Sequence, residues 1–167
     1  LAAPRDALYG WTAERLARRQ TALGQGAWLY LFDHGYPAAQ ALDLHAFHAA
    51  EIPYVFGTHD RTPAKWPKPP DTPAEAALSK AMTRYWASFA RDGAPAAAGA
   101  PAWRPYGETE AFMRFADAPK PGENLMPGMF ELHEEVVCRR RQEGRTPWNW
   151  NVGVVAPALP AGGSPCP

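Results

Sequence analysis

The sequence predicts an α/β fold, and three stretches carry that reading. Residues 6–23 show a helical pattern, with Leu8, Trp11, Leu16 and Leu23 recurring at roughly helical spacing and Arg15, Arg18 and Arg19 on the other side. Gly24 and Gly26 end it. Ala27 to Phe32 follows directly as six apolar residues without alternation, the pattern of a strand buried on both faces in a parallel sheet. A further helix is predicted over 73–92. Thr72 and Glu75 have capping-box spacing, Pro73 takes the first helical position, and Leu78, Met82, Tyr85, Trp86 and Phe89 form one apolar stripe that stops at Gly93.

The remaining elements are fainter. Asp33 to Pro37 reads as loop, and Leu42 to Glu51 carries two histidines. Ile52 to Gly57 is a short apolar segment in which Pro53 argues against a central strand. Residues 58–73 hold five prolines and 94–105 are rich in Ala, Pro and Gly; both read as loop. Ala111 to Phe115 suits an edge strand, and residues 126–142 a second helix with Met129, Phe130, Leu132, His133, Val136 and Val137 mostly on one side. There is no internal repeat.

Composition bounds the function. In 167 residues, 46% are hydrophobic and 20% charged, enough for a core. Seventeen basic residues balance seventeen acidic ones, which gives no electrostatic case for nucleic acid or an anionic membrane. No apolar run approaches the ~20 residues of a membrane span. Nineteen prolines and seven tryptophans imply ordered loops packed on something larger than this chain. With a start at Leu1, this leads to the expectation of a processed product or fragment. Cys138 and Cys166 belong to no metal or redox motif. Either they pair, which implies an oxidising and hence secreted or periplasmic location, or one is buried and one free.

The chemistry concentrates in Leu44-His45-Ala46-Phe47-His48-Ala49-Ala50-Glu51, which follows the predicted strand. Ligands of open α/β sheets lie beyond the carboxyl ends of the strands, and imidazole titrates near neutrality, so a histidine here can serve as general base. Position alone fits a structural histidine as well. His45, His48 and Glu51 also have H-x-x-H-x-x-E spacing, which on a helix would put two imidazoles and a carboxylate on one face able to bind zinc. The common helical zinc motif spaces its histidines by four rather than three.

His48 to Gly57, His-Ala-Ala-Glu-Ile-Pro-Tyr-Val-Phe-Gly, resembles the histidine segment of the type-B carboxylesterases, the group that includes cholinesterases. Further blocks follow in family order: Trp28 to Phe32, Met82 to Pro95, and Pro101 to Tyr106. The resemblance implies that this chain is the C-terminal part of an α/β-hydrolase fold, with 1–142 inside the catalytic domain and 143–167 a Pro/Gly-rich tail packed on it. It implies carboxylic ester hydrolysis by a Ser-His-Glu/Asp triad, with His48 as the catalytic histidine, Glu51 in a supporting place and no role for His45. Ala49 stands where the family often has Gly. The G-x-S-x-G elbow, the acid and the oxyanion loop belong upstream of the histidine in this fold, and no G-x-S-x-G occurs here. The implied partners are therefore the N-terminal portion of the same enzyme and a small-molecule carboxylic ester, with no cofactor. Family members without the serine act in adhesion, so a non-catalytic binding module is the alternative. Two expectations follow. His48 should line a cleft on a loop after the strand, and apolar surface should be exposed around Trp28 to Phe32 and the 73–92 helix.

Overall fold

The structure, a computed structural model, describes residues 6–143 and Cys166. The predicted tail packing of 143–167 falls outside the described residues apart from Glu143 and Cys166. The chain divides into two compact units, Gln20–Leu125 on one hand and Leu1–Arg19 with Met126–Pro167 on the other.

The larger unit is built on a three-stranded mixed sheet of order β1-β2-β3. Strand β1 is Leu29–Phe32, β2 is Ala111–Phe115 and β3 is Pro119–Glu123. β1 and β2 run parallel with Leu29 opposite Phe112, and β2 and β3 run antiparallel with Ala111 opposite Glu123. One expectation is corrected here. β2 is flanked on both sides rather than an edge, and its buried residues alternate as Ala111, Met113 and Phe115. Its neighbour β3, Pro-Lys-Pro-Gly-Glu, has no strand signal, because prolines survive only where an edge leaves their missing N–H unneeded.

β1 is shorter than the apolar run that predicts it. Ala27 and Trp28 lie before it and serve the 101–106 segment instead: the Tyr106 amide donates to Ala27 O at 2.7 Å and the Trp28 indole to Trp103 O at 3.2 Å. The Trp103 indole returns a bond to Leu29 O at 3.1 Å. Nor is β1 buried on both faces. Leu29 is buried, but Tyr30 is 37% exposed and Leu31 and Phe32 are half-buried. Among the described residues β1 has one partner strand, so its other edge is an edge of this sheet, with an apolar Leu-Tyr-Leu-Phe row along it.

Three short helical pieces lie between β1 and the long helix: α2 at Pro37–Gln40, α3 at Ile52–Val55 and a 3-10 turn at His59–Arg61. The apolar segment around Pro53 is thus a helix, with proline near its start where no amide is needed. Helix α4 spans Pro73–Asp92. Thr72 caps it, its hydroxyl accepting from the Glu75 amide at 3.3 Å, and Gly93 closes it at φ 75°, donating to Phe89 O at 2.8 Å. Half of the predicted capping box is absent, because the Glu75 side chain turns inward to a different partner. Leu78, Met82 and Tyr85 of α4 pack with Tyr54, Trp103, Met113 and Phe115 into the core. Phe89, at the end of the stripe, is 48% exposed. The apolar exposure expected around β1 and α4 is therefore limited to residues such as Tyr30 and Phe89. Other large apolar side chains are exposed in the histidine segment, at Leu42, Leu44, Ile52 and Phe56.

The smaller unit pairs helix α1, Trp11–Ala22, with helix α5, Met129–Glu143. A π-helical turn, Asp6–Gly10, precedes α1. The sidedness read from the sequence is wrong here. Leu16 is 60% exposed, while two of the three arginines assigned to the outer side, Arg15 and Arg18, reach side chains of α5. Arg15 bonds Glu134 at 2.9 Å, and Arg18 bonds the buried Glu14 at 3.0 Å and lies over the Phe130 ring. Leu132 and Val136 of α5 are also exposed, and Val137 is buried. Cys138 and Cys166 form a disulfide, which decides between the two readings of the cysteines.

Candidate active site

The candidate site lies in the segment between β1 and α4. β1 ends at Phe32, and the chain stays tied to β2 for one more residue: the Asp33 amide donates to Phe115 O at 2.7 Å, and its carboxylate accepts from Arg114 Nε at 2.8 Å. Past that point the backbone leaves the sheet at the carboxyl end of β1.

His48 sits in the turn that leads into α3 and is exposed. The Ala50 amide donates to Phe47 O at 3.0 Å and the Ile52 amide to Ala49 O at 3.1 Å, so the turn is backbone-bonded on both sides of the imidazole. Ala49 has φ 68°, a left-handed conformation that disfavours any side chain beyond hydrogen. Glu51 is half-buried at the start of α3, and its carbonyl accepts from the Tyr54 and Val55 amides at 3.0 Å each. Burial first, and then the Glu51 charge, hold the Tyr30 phenol of β1 above its ordinary range.

His45 does not join them. It is exposed, has φ 49° and pairs with the Asp43 carboxylate at 3.0 Å. The zinc reading required one helical face for His45, His48 and Glu51, but the helix begins only at Ile52. Among the described residues no three His, Cys, Asp or Glu side chains form a group that could hold a metal ion.

The structure adds a buried polar cluster that no local sequence pattern marks. His34, two residues beyond β1, places Nε2 3.0 Å from each oxygen of Glu75. Since a carboxylate only accepts, that nitrogen carries the proton. Tyr54 donates its hydroxyl to the other side of Glu75 at 2.7 Å. All three residues are buried. Burial first, and then the hydrogen bond to Glu75 and its charge, hold the Tyr54 phenol well above its ordinary value, so it remains a donor. His34 Nδ1 makes no hydrogen bond; the exposed Asp117 carboxylate stands 3.5 Å from it. His59 stacks on the Tyr54 ring at 5.6 Å. The one available signal was Glu75 itself, an acid three residues into a helix, which fits capping and tertiary pairing equally.

Comparison with known proteins agrees with this architecture. Residues 2–131 match the carboxylesterase family. A medium-chain fatty acyl-CoA hydrolase precursor of Anas platyrhynchos is 30% identical over 149 residues, which is 83% of this chain and 25% of that protein. An acylcarnitine hydrolase of Mus musculus is 30% identical over 121 residues, 69% of this chain and 21% of the relative. Among solved structures, a carboxylesterase of Geobacillus stearothermophilus aligns with a TM-score of 0.56 at 29% identity, over 69% of this chain and 23% of the other. An esterase of Clostridium hathewayi aligns with a TM-score of 0.59 at 25% identity, over 70% and 22%. The mixed sheet with its helices is thus part of an α/β-hydrolase fold, and the chain spans about a quarter of the length of the curated relatives it matches. The chain belongs to the carboxylesterase family.

Proposed function

We propose that this chain takes part in carboxylic ester hydrolysis, with His48 as the general base and acid of a Ser-His-Glu/Asp triad whose other members lie upstream in the same enzyme. The observation that carries the reading is the family match across the His48 to Gly57 segment, together with an exposed imidazole beyond the carboxyl end of β1. His48 takes the proton of a serine hydroxyl as it attacks the ester carbonyl, and returns it to the departing alcohol; water then repeats the cycle on the acyl-enzyme. The upstream carboxylate orients the second ring nitrogen. Glu51 supports the turn, its carbonyl accepting from the Tyr54 and Val55 amides, rather than moving a proton. The disulfide supports an oxidising, secreted or periplasmic setting, and no described helix is long and apolar enough to cross a membrane.

The test is p-nitrophenyl ester hydrolysis by the full-length enzyme. His48→Ala is expected to lower kcat by roughly 10⁴-fold or more, because a serine hydroxyl without an adjacent base is a poor nucleophile. His45→Ala should stay near wild type. Near-normal turnover in His48→Ala removes the triad assignment, whereas no turnover by the wild-type full-length enzyme favours the non-catalytic binding module.

A further inference from the structure

We propose that Glu75 is a positioning residue for His48, acting through Tyr54. This rests on the reading of His48 as general base. From Phe47 to Thr58 the backbone is a nearly continuous series of short-range hydrogen bonds, through Ala50, Ile52, Tyr54, Val55, Phe56 and Thr58. Such a run moves as one piece, and its placement depends on what anchors it. The anchor is Tyr54, 1% exposed. Its carbonyl accepts from two hydroxyls of α4, Ser79 and Thr83, at 3.1 Å each, and its own hydroxyl donates to Glu75 at 2.7 Å. Phe32, His34 and His59 surround its ring.

A carboxylate is a costly choice for this position. Glu75 is buried, and an ion taken from water is compensated only by close donors. Here they are His34 Nε2, the Tyr54 hydroxyl and the amino end of α4. Holding α4 in place does not need it, because Leu78, Met82 and Tyr85 already bury that helix against the sheet. What the charge adds is direction. It fixes one hydroxyl on the histidine segment relative to one imidazole at the end of β1, so the turn bearing His48 is set against the strand end. A base displaced by about 1 Å can lose on the order of 10²-fold in rate.

A double-mutant cycle on the full-length enzyme separates positioning from general stability. Turnover of p-nitrophenyl butyrate is measured for wild type, Glu75→Gln, His48→Ala and the double variant, each normalised to folded protein by absorbance and near-UV circular dichroism. Glu75→Gln is expected to lower kcat by about 10- to 100-fold with KM within about twofold. In the His48→Ala background the same change should alter the residual rate by no more than about twofold, because no base remains to be misplaced. Should Glu75→Gln fail to fold, Tyr54→Phe carries the same cycle, since it keeps the ring and both bonds to its carbonyl. Equal losses in both backgrounds, an effect confined to KM, or unchanged kcat would overturn the positioning role while leaving His48 as the base. Full activity of His48→Ala would overturn the base itself and the positioning role with it.

Discussion

Helix α4 turns left-handed once, at its end, and does so on Gly93; the segment between Phe32 and Ile52 turns left-handed three times, at Asp43, His45 and Ala49, and never on a glycine. The two regions touch, yet they are held differently. In α4 every local feature agrees with the helix: the Thr72 cap, Pro73, the spacing of Leu78, Met82 and Tyr85, and the Gly93 stop. In the histidine segment the backbone adopts conformations its residues disfavour, by about 1–2 kcal/mol each for side chains larger than hydrogen. Asp43 is the best tolerated of the three, since a short polar side chain can bond locally. Hydrogen bonds from Tyr54 and Tyr36 and the ring contact of Phe47 with Trp66 hold the segment. Consistent local preference makes an element robust; a loop assembled from distant contacts holds a side chain where chemistry needs it at the expense of local comfort.

The sharpest break of the comparison is in the shared core. Met82 has no exposed surface and lies where α4 meets the sheet. Met82→Ala leaves a cavity there and is expected to cost about 2–5 kcal/mol. Denaturant unfolding of the full-length enzyme reads it. A loss under 1 kcal/mol would mean that the core around α4 is looser than its burial indicates.

A smaller effect isolates the local rules. Thr72→Ala removes the oxygen that accepts from the Glu75 amide, and should cost about 1 kcal/mol. Because Glu75 also carries Tyr54, fraying at this cap reaches the histidine segment. Hydrogen exchange should therefore rise at the Tyr54 and Val55 amides as well as in the first turn of α4. Exchange confined to residues 73–76 would show that the two regions are not coupled through the cap.

What could be read from the chain follows the same division. The bounds of α4 were legible to the residue, because cap, period and stop are all local. The α/β class and the histidine segment were legible from the unalternating run before Phe32 and from the His48 to Gly57 pattern. β3 was not, since two prolines and a glycine carry no strand signal and only the β2 partner makes Pro119–Glu123 a strand. The facing of α1 was misread because Arg15 and Arg18, rather than Leu16, make contacts there, their guanidinium groups bonding Glu134 and Glu14. The His34–Glu75–Tyr54 cluster joins residues 41 and 21 positions apart in sequence, and no local pattern encodes such a meeting.

The smallest expected effect tests the strain itself. Ala49 has φ 68° next to the proposed base. Replacing an ordinary residue with glycine usually destabilises, by about 0.5–1 kcal/mol in an element interior, because the unfolded chain gains freedom. At Ala49 the folded state gains as well, since removing Cβ relieves a left-handed alanine. The two terms have similar size and opposite sign, so Ala49→Gly should be neutral or stabilising by up to about 1 kcal/mol. Gly93→Ala at φ 75° is the mirror experiment and should destabilise by about 1 kcal/mol. Melting temperatures of both variants decide the matter. If Ala49→Gly lowers the midpoint as much as Gly93→Ala does, the turn is not strained, and the histidine segment is held by local preference in the same way as α4.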